Sequence, residues 1–371
     1  MKILYDHQAF TGTQYGGISR YFYELMNVYA HQNDVDFELS LKFSNNEYLT
    51  DTPFSKHIGY QPFAKDKTVN KALSLCNRLF SLSKIGIGQY DVFHPTYYHS
   101  YFLEKLGKKP LVITFHDVLS EKYGELYPVL GQGLTALKQR LLHRADAVIS
   151  VSEATKKGIL EYFKVEESKI KVIPLGNYLS KINHSTTPAL ALPKRYVLFV
   201  GNREYYKNFA LFFKALIPIL HKDRDLHLIC AGGGDFDVQE KTAIVQAKLQ
   251  EQVIYHAIYD DSTVGQLYAK AQVFVFPSLM EGFGLPILEA MSNGCPVVAT
   301  AGTSFDEIAG DAALYFEAEN TDAIKAAIER VVYDEVLQHK LKQKGYERVP
   351  LFPAEHTAKQ TLEVYKALVK P

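Results

Sequence analysis

The sequence predicts an α/β protein with two Rossmann-like domains, each built on a parallel sheet. Short apolar runs alternate with helical patterns through most of the 371 residues, and this alternation favours parallel strands covered by helices. The alternation falls into two series, separated by a polar, proline-containing segment at residues 177–194. The chain length also favours more than one domain.

The first series extends from residue 2 to residue 175 and contains six predicted strands. Apolar runs of strand length predict strands at Lys2–Tyr5, Phe37–Phe43, Asp91–Pro95, Leu111–Phe115, Ala147–Val151 and Lys171–Leu175. Apolar residues at helical spacing predict helices at Ile18–Ala30, Gln132–His143 and Glu153–Phe163.

The second series repeats this order more regularly. Strands are predicted at Tyr196–Val200, Leu226–Ala231, Val253–His256, Val273–Pro277, Pro296–Thr300 and Leu314–Phe316. Helices are predicted at Asn208–His221, Val238–Gln250, Ser262–Lys270, Pro286–Asn293 and Thr321–Tyr333.

The composition shift at residues 177–194 sets the predicted domain boundaries. We expect an N-terminal domain at 1–178, a C-terminal domain at 194–350 and a terminal segment at 351–371, with a helix at Ala354–Lys370 after two prolines.

Bulk properties exclude several classes of protein. The formal net charge is zero, so the chain lacks the basic excess of a nucleic-acid binder. The three cysteines (Cys76, Cys230 and Cys295) are far apart and indicate reduced thiols rather than a metal site. Neither a signal peptide nor an apolar run long enough to span a bilayer is visible, which predicts a cytoplasmic protein.

The segment Glu281-Gly-Phe-Gly-Leu-Pro-Ile-Leu-Glu289 is the most informative part of the chain. It follows a predicted buried strand, and Pro286 is typical of the first turn of a helix. Gly282, Phe283, Gly284 and Leu285 would therefore present backbone amides at a positive helix end, where phosphates bind. Glu289 is placed to accept hydrogen bonds from a ribose diol, and Glu281 to reach the group beyond the phosphates. This arrangement suits a sugar nucleotide.

The longer motif SLMEGFGLPILEAMSNGCPVVAT resembles the donor-binding signature of retaining GT-B-fold glycosyltransferases, the family that includes bacterial mannosyltransferases and sucrose-phosphate synthases. YGGISRYFYEL, TFHDVLS, VSEATKKGI, KVIPLG, FVGNREYYKNF and GDAALYF extend the resemblance along the chain. It implies two facing Rossmann-like domains, and a final helix that crosses back to the first domain.

Two cations follow the first strand of the second series. Arg203 and Lys207 in GNREYYKN suit a diphosphate leaving group whose charge grows during bond cleavage. Many members of the family place the arginine nearer the strand, so Lys207 fits the pattern better. Both residues are predicted to be catalytic, together with Glu281; the alternative is a pair of solvated surface charges.

The N-terminal half offers three further candidates. His116 ends the strand Leu111–Phe115 and matches a histidine of the resembled family, which implies a catalytic contact with the donor sugar. Gly16 and Gly17 open a helix, where bare amides could approach a diphosphate; a loop that simply needs glycine is an equal alternative.

No metal or other cofactor is predicted. Asp-x-Asp patterns begin at Asp34, Asp223 and Asp235, but each lies in a polar, loop-like context. We interpret them as solvated loops rather than metal ligands.

Residues 56–84 contain six basic side chains and one acid. Within them an apolar stripe recurs at helical spacing (Val69, Ala72, Leu73, Cys76, Leu79 and Phe80). This stripe could contact a membrane or a lipid-linked acceptor, but packing against the domain core is the favoured interpretation.

Together with these features, the resemblance implies a retaining, metal-independent hexosyltransferase of surface polysaccharide synthesis. Resemblance favours GDP-mannose as donor, with UDP-hexoses as the alternative, and implies a glycan or polyprenyl-linked saccharide acceptor. Rival hypotheses are a sugar-nucleotide epimerase and a non-catalytic sugar-binding protein.

Overall fold

The computed structural model describes residues 1–50, 52–60, 67–127, 133–179, 189–258 and 260–369. It divides the chain into two compact units. Unit 1 comprises Met1–Gly176 and Ala354–Pro371, and unit 2 comprises Asn177–Pro353. The described part of the predicted linker thus groups with unit 2, and residues 180–188 lie outside the described residues.

Unit 1 is built around two short parallel sheets. Its strands are β1 (Lys2–Tyr5), β2 (Asp36–Leu39), β3 (Phe43–Ser44), β4 (Gly59–Tyr60), β5 (Val92–His94), β6 (Val112–Phe115), β7 (Ala147–Ser150) and β8 (Ile170–Val172). Three-stranded sheets run in the orders β2-β1-β5 and β6-β7-β8, and β3 pairs with β4. An isolated parallel bridge from Phe93 to Leu111 connects the two larger sheets.

Helices follow the strands of unit 1. They are α1 (Gly17–Tyr29), α2 (Lys67–Ile87), α3 (Leu103–Leu106), α4 (Leu119–Tyr123), α5 (Leu134–Arg144) and α6 (Glu153–Tyr162). The predicted strand Phe37–Phe43 is wrong as a single element. It is interrupted because the Asn77 side chain, not a neighbouring strand, accepts hydrogen bonds from the backbone N–H groups of Lys42 (3.1 Å) and Phe43 (2.8 Å).

Unit 2 contains one six-stranded, entirely parallel sheet. Its strands are β9 (Arg195–Val200), β10 (Leu226–Ala231), β11 (Val253–His256), β12 (Val273–Phe276), β13 (Val297–Thr300) and β14 (Ala313–Phe316), in the order β11-β10-β9-β12-β13-β14. This is the doubly wound Rossmann order, in which the direction of strand addition reverses between β9 and β12.

Helices cover both faces of this sheet. They are α7 (Phe209–Lys222), α8 (Val238–Gln246), α9 (Asp261–Lys270), α10 (Leu285–Ser292), α11 (Ser304–Ala309), α12 (Thr321–Tyr333) and α13 (Glu335–Arg348). The apolar face of α7 (Phe212, Leu216, Ile219) packs with buried strand residues and with α12 in one core.

The last helix, α14 (Ala354–Leu368), packs in unit 1. The Tyr29 hydroxyl on α1 donates to the Ala358 carbonyl (2.8 Å), and the buried Tyr365 hydroxyl lies 2.5 Å from His94 Nδ1. The return of the final helix to the first domain, implied by the resemblance, is therefore present. In the described parts of the chain, every helix is too short or too polar to cross a bilayer.

Candidate active site

The loops that follow β9 and β12 meet where the strand order of unit 2 reverses. In open parallel sheets, the crevice outside the carboxyl ends of the strands at such a point is where ligands bind. The loop after β9 carries Arg203 and Lys207, and the loop after β12 carries Glu281 and the glycine turn. Sheet order therefore brings together residues that are far apart in sequence.

Lys207 and Glu281 form the central contact of this crevice. Lys207 Nζ lies 2.6 Å from Glu281 Oε1, and the two side chains are only 13% and 16% exposed. Between the same loops, the Leu279 N–H donates to the Tyr206 carbonyl at 2.7 Å. Asn208, in the left-handed conformation (φ 56°), ends the turn before α7, and its side chain donates to the Ala318 carbonyl at 2.8 Å. The lysine is thus held at the crevice by its carboxylate and by a fixed loop.

The glycine turn places a helix start beside this pair. Gly284 has φ 113° and caps α10, and a Cβ there would lie 3.0 Å from the Phe305 ring. A left-handed residue with no room for a side chain must be glycine. The turn lies at the N-terminal, positive end of α10, the end of a helix that favours phosphate, and its residues 282–284 are buried.

Ser304 fixes the shape of the glycine turn and was not predicted. Its hydroxyl lies 2.9 Å from the carbonyl oxygens of both Glu281 and Phe283. Ser304 is the first residue of α11, which Thr303 and Asp306 begin with a capping box. That Thr-x-x-Asp spacing is the sequence signal that could have located the helix start.

Glu289 lies on α10, beyond the glycine turn, and is half-buried. The Tyr268 hydroxyl donates to Glu289 Oε2 at 3.3 Å. Burial raises the pKa of Tyr268 well above its ordinary value, and the nearby negative charge of Glu289 adds to this effect. The hydroxyl therefore keeps its proton and remains a hydrogen-bond donor. Tyr268 orients the carboxylate predicted to bind ribose.

Arg203 has a different setting from Lys207. Its side chain is 4% exposed and pairs with Glu240 at 2.8 Å. It also donates to the carbonyl oxygens of Gly232 (3.1 Å), Gly234 (2.8 Å) and Asp235 (3.0 Å). These contacts give Arg203 a supporting role in the loop after β10, and its contact with a diphosphate stays a prediction.

The loop that Arg203 holds packs closely on the loop after β9. A Cβ at Gly233 would lie 2.5 Å from the Gly201 carbonyl oxygen and 2.6 Å from Asn202 Cα. Gly233 is therefore required for this close approach. Through it, the position of the loop after β10 affects the segment that leads to Lys207.

His116 lies in unit 1, at the end of β6, and is half-buried. Its backbone N–H donates to the Tyr98 hydroxyl (2.7 Å), and its ring contacts Tyr21, with ring centroids 5.7 Å apart. Burial lowers the pKa of His116 to about 4, against the opposing effect of Asp117. The imidazole is therefore neutral at neutral pH and can donate or accept a hydrogen bond.

A buried lysine that sequence reasoning missed holds the segment after His116. Lys138 is fully buried, pairs with Glu121 at 2.9 Å and donates to the Asp117 carbonyl (3.0 Å) and to Ser120 Oγ (2.9 Å). It occupies an apolar position of the α5 repeat, four residues after Leu134. A single lysine within an apolar stripe was the sequence signal that could have indicated a buried, paired charge.

Gly16 and Gly17 lie at the start of α1 in unit 1, where Gly16 is the extended capping residue and Gly17 the first helical residue. Ser19 Oγ donates to the Gly16 carbonyl at 3.0 Å. Their approach to a diphosphate stays a prediction.

The Asp-x-Asp segments have structural partners. Asp237 caps α8 and forms a capping box with Glu240, Asp223 pairs with Arg195, and Asp34 pairs with Lys366. Among the residues that the structure describes, no three His, Cys, Asp or Glu side chains are grouped as a metal site.

A parallel sheet whose strand order reverses at a switch point is a Rossmann-like domain, and here a cation–carboxylate pair and a glycine turn lie at that point. Comparison with known proteins specifies the class. The model for Glycosyltransferase Family 4 matches residues 15–179, and the model for Glycosyl transferases group 1 matches residues 181–348. O-antigen chain mannosyltransferase B of Escherichia coli is 31% identical over 294 residues, which cover 75% of this chain and 74% of that protein. The chain belongs to this family of glycosyltransferases.

Solved structures confirm the predicted GT-B fold. Sucrose-phosphate synthase from Thermosynechococcus elongatus matches with a TM-score of 0.74 and 22% identity, over 99% of this chain and 98% of that one. HepE from Anabaena, in complex with UDP and glucose, matches with a TM-score of 0.75 and 18% identity, over 99% of both chains. At these identities the two structures establish the fold alone.

Proposed function

We propose that this glycosyltransferase is a retaining hexosyltransferase that moves mannose from GDP-mannose to a glycan or polyprenyl-linked saccharide, without a metal. The observation that carries the proposal is the Lys207–Glu281 pair beside the glycine turn at the switch point of unit 2. The likeness to an O-antigen mannosyltransferase supports mannose.

Each candidate residue has a role in this proposal. The amides of residues 282–285 bind the diphosphate, and Lys207 stabilises the charge that develops on it as the glycosidic bond breaks. Glu289, oriented by Tyr268, accepts the ribose hydroxyls. Glu281 contacts the sugar, and the neutral His116 is available for a hydrogen bond to a sugar hydroxyl. Arg203 acts by supporting the loop after β10.

The reaction is a front-face displacement. The bond between the anomeric carbon and the diphosphate oxygen breaks, and the acceptor oxygen bonds to the same face of the sugar. The acceptor proton passes to the departing phosphate. Because the acceptor oxygen attacks the anomeric carbon directly, no protein group forms a covalent intermediate. Lys207 supplies the fixed positive charge that this step needs.

UDP-hexose is the second candidate donor, because HepE was solved with UDP and glucose in the same fold. A thermal-shift screen with GDP, UDP and ADP and their sugars tests the choice. We expect GDP and GDP-mannose to raise the melting temperature most. A larger shift with UDP would indicate that the donor is a UDP-hexose instead of GDP-mannose.

Turnover distinguishes the remaining alternatives. The enzyme is incubated with GDP-mannose, a saccharide acceptor and a metal chelator. We expect an α-mannosylated product and free GDP, and NMR assigns the anomeric configuration of the product. A β-linked product would contradict retention. Isomerisation of donor without acceptor would indicate an epimerase, and binding without turnover a sugar-binding protein.

A further inference from the structure

Helix α2 (Lys67–Ile87) attaches to unit 1 through polar side chains. Asn77 Nδ2 donates to the Phe43 carbonyl (2.8 Å) and to Thr11 Oγ1 (2.9 Å), while its Oδ1 accepts the backbone N–H groups of Lys42 and Phe43. One turn further, Ser81 Oγ lies 2.8 Å from Ser40 Oγ and accepts from the Tyr101 hydroxyl at 2.7 Å. Asn77 and Ser81 are both fully buried.

The opposite side of α2 faces solvent and is mostly apolar, although it also carries Thr68, Ser83 and Gly86. We call it the α2 outer face, and its apolar residues fall within about a third of the helical circumference: Val69, Ala72, Leu75, Cys76, Leu79 and Ile87. Val69 is 44% exposed, Leu75 55%, Leu79 57% and Ile87 60%. Of the predicted stripe, Val69, Ala72, Cys76 and Leu79 are exposed, so the favoured expectation of core packing is wrong for these four, whereas Leu73 and Phe80 are half-buried. The helix buries Asn77 and Ser81 together with Ile85, and exposes most of its other apolar side chains, unlike an ordinary surface helix.

The charge of the helix indicates what the α2 outer face contacts. Residues 67–87 contain four basic residues and no acidic one. Lys71 and Arg78 are both exposed and lie two turns apart along one flank of the outer face. An apolar helical face bordered by cations is the pattern that binds the surface of an anionic bilayer.

We propose that the α2 outer face lies on an anionic lipid surface, with Leu75 and Leu79 in the acyl boundary and Lys71 and Arg78 at the headgroups. A second copy of the chain is a poorer occupant, because a symmetric contact would bring two positively charged faces together. The predicted membrane contact at residues 56–84 is thereby narrowed to one face of α2; residues 61–66 lie outside the described residues. Attachment through this face does not depend on which donor the enzyme uses.

Vesicle sedimentation tests the attachment. The full chain is mixed with vesicles of phosphatidylcholine plus phosphatidylglycerol, or of phosphatidylcholine alone, at low and high salt. We expect binding to the anionic vesicles that weakens with salt. The double variant Leu75→Glu/Leu79→Glu should lower the partition coefficient at least about tenfold, because two leucine side chains are no longer buried in lipid.

The matched control carries the same charges at exposed apolar positions of unit 2, Val238→Glu/Val336→Glu. It should bind vesicles as the unaltered chain does. All three proteins should bind GDP equally by calorimetry, which separates loss of attachment from misfolding and from failure of the donor assignment. Equal vesicle binding by Leu75→Glu/Leu79→Glu, or no binding by the unaltered chain, would overturn the proposal.

Cys76 gives an independent readout, since it is the exposed cysteine whereas Cys230 and Cys295 are buried. A polarity-sensitive fluorophore on Cys76 should shift to the blue with anionic vesicles. The same label introduced by Val238→Cys in a Cys76→Ser background should not shift. A label on Cys76 that responds instead to protein concentration without lipid would assign the face to self-association and overturn the proposal.

Discussion

Lys207 Nζ on the loop after β9 contacts Glu281 Oε1 on the loop after β12 at 2.6 Å. The two residues join across the point where the strand order reverses, beside the amides that open α10. Glu281 thereby holds the Lys207 ammonium group at the crevice. We expect a bound diphosphate to share or replace this carboxylate as the partner of Lys207.

Replacing Lys207 should remove turnover more than binding. Lys207→Ala is expected to lower kcat by about 100-fold, because a preorganised charge that acts mainly on the leaving group is lost. Lys241→Ala, which removes an exposed lysine paired with Asp235, is the matched control and should leave kcat unchanged. Near-normal kcat in Lys207→Ala would exclude it as the main charge stabiliser.

Glu289 should contribute to nucleotide affinity. Glu289→Ala is expected to weaken binding of free GDP by roughly 10-fold or more, since hydrogen bonds from ribose to a carboxylate are lost. Tyr268→Phe should cause a smaller loss, because it removes only the group that orients Glu289. Calorimetry measures both, and a Tyr268→Phe defect as large as that of Glu289→Ala would argue for a different ribose contact.

The glycine turn should tolerate no side chain. Gly284→Ala places a Cβ at φ 113° and 3.0 Å from the Phe305 ring, which we expect to cost about 1–3 kcal/mol of stability and to weaken GDP binding. Gly86→Ala is the control, because it lies in a helix with nothing within 4 Å of the added Cβ. That change should be neutral or stabilising by up to about 1 kcal/mol. Unchanged urea unfolding and GDP affinity in Gly284→Ala would contradict the turn geometry.

Buried histidines should make unit 1 sensitive to acid. Burial, with a smaller effect of His116, lowers the pKa of His94 to about 3, compared with an ordinary value of 6.5. Between these two values the unfolded chain binds a proton that the folded chain excludes. The free energy of unfolding therefore falls as the pH drops below about 6.5, whereas above that pH the contribution of neutral His94 is fully present. Urea unfolding across this range should show a shallower pH dependence in His94→Asn. An identical slope in that variant would assign the sensitivity to other groups.

Sequence patterns located most elements of unit 2, and the strands Leu226–Ala231 and Val253–His256 have the predicted bounds. Buried parallel strands are continuous apolar runs, which are visible in a single sequence. Helix α13 (Glu335–Arg348) was missed because it buries only Leu341 and Gly345 and so lacks an apolar repeat.

Relationships that depend on strand order or on side-chain hydrogen bonds could not be predicted. The Lys207–Glu281 contact joins residues 74 positions apart, and only the sheet order brings them together. Asn77 explains both the split of the predicted strand Phe37–Phe43 and the polar attachment of α2, because its amide bonds to backbone groups 34 and 35 residues away. The glycine turn was different, because its left-handed backbone is a local feature that the sequence motif itself determines.

A crystal structure with bound GDP-mannose would show directly where the donor binds. We expect the diphosphate at the amides of residues 282–285, with Lys207 Nζ about 3 Å from a phosphate oxygen and the ribose hydroxyls on Glu289. A nucleotide bound elsewhere, with the crevice between the loops after β9 and β12 empty, would contradict this expectation.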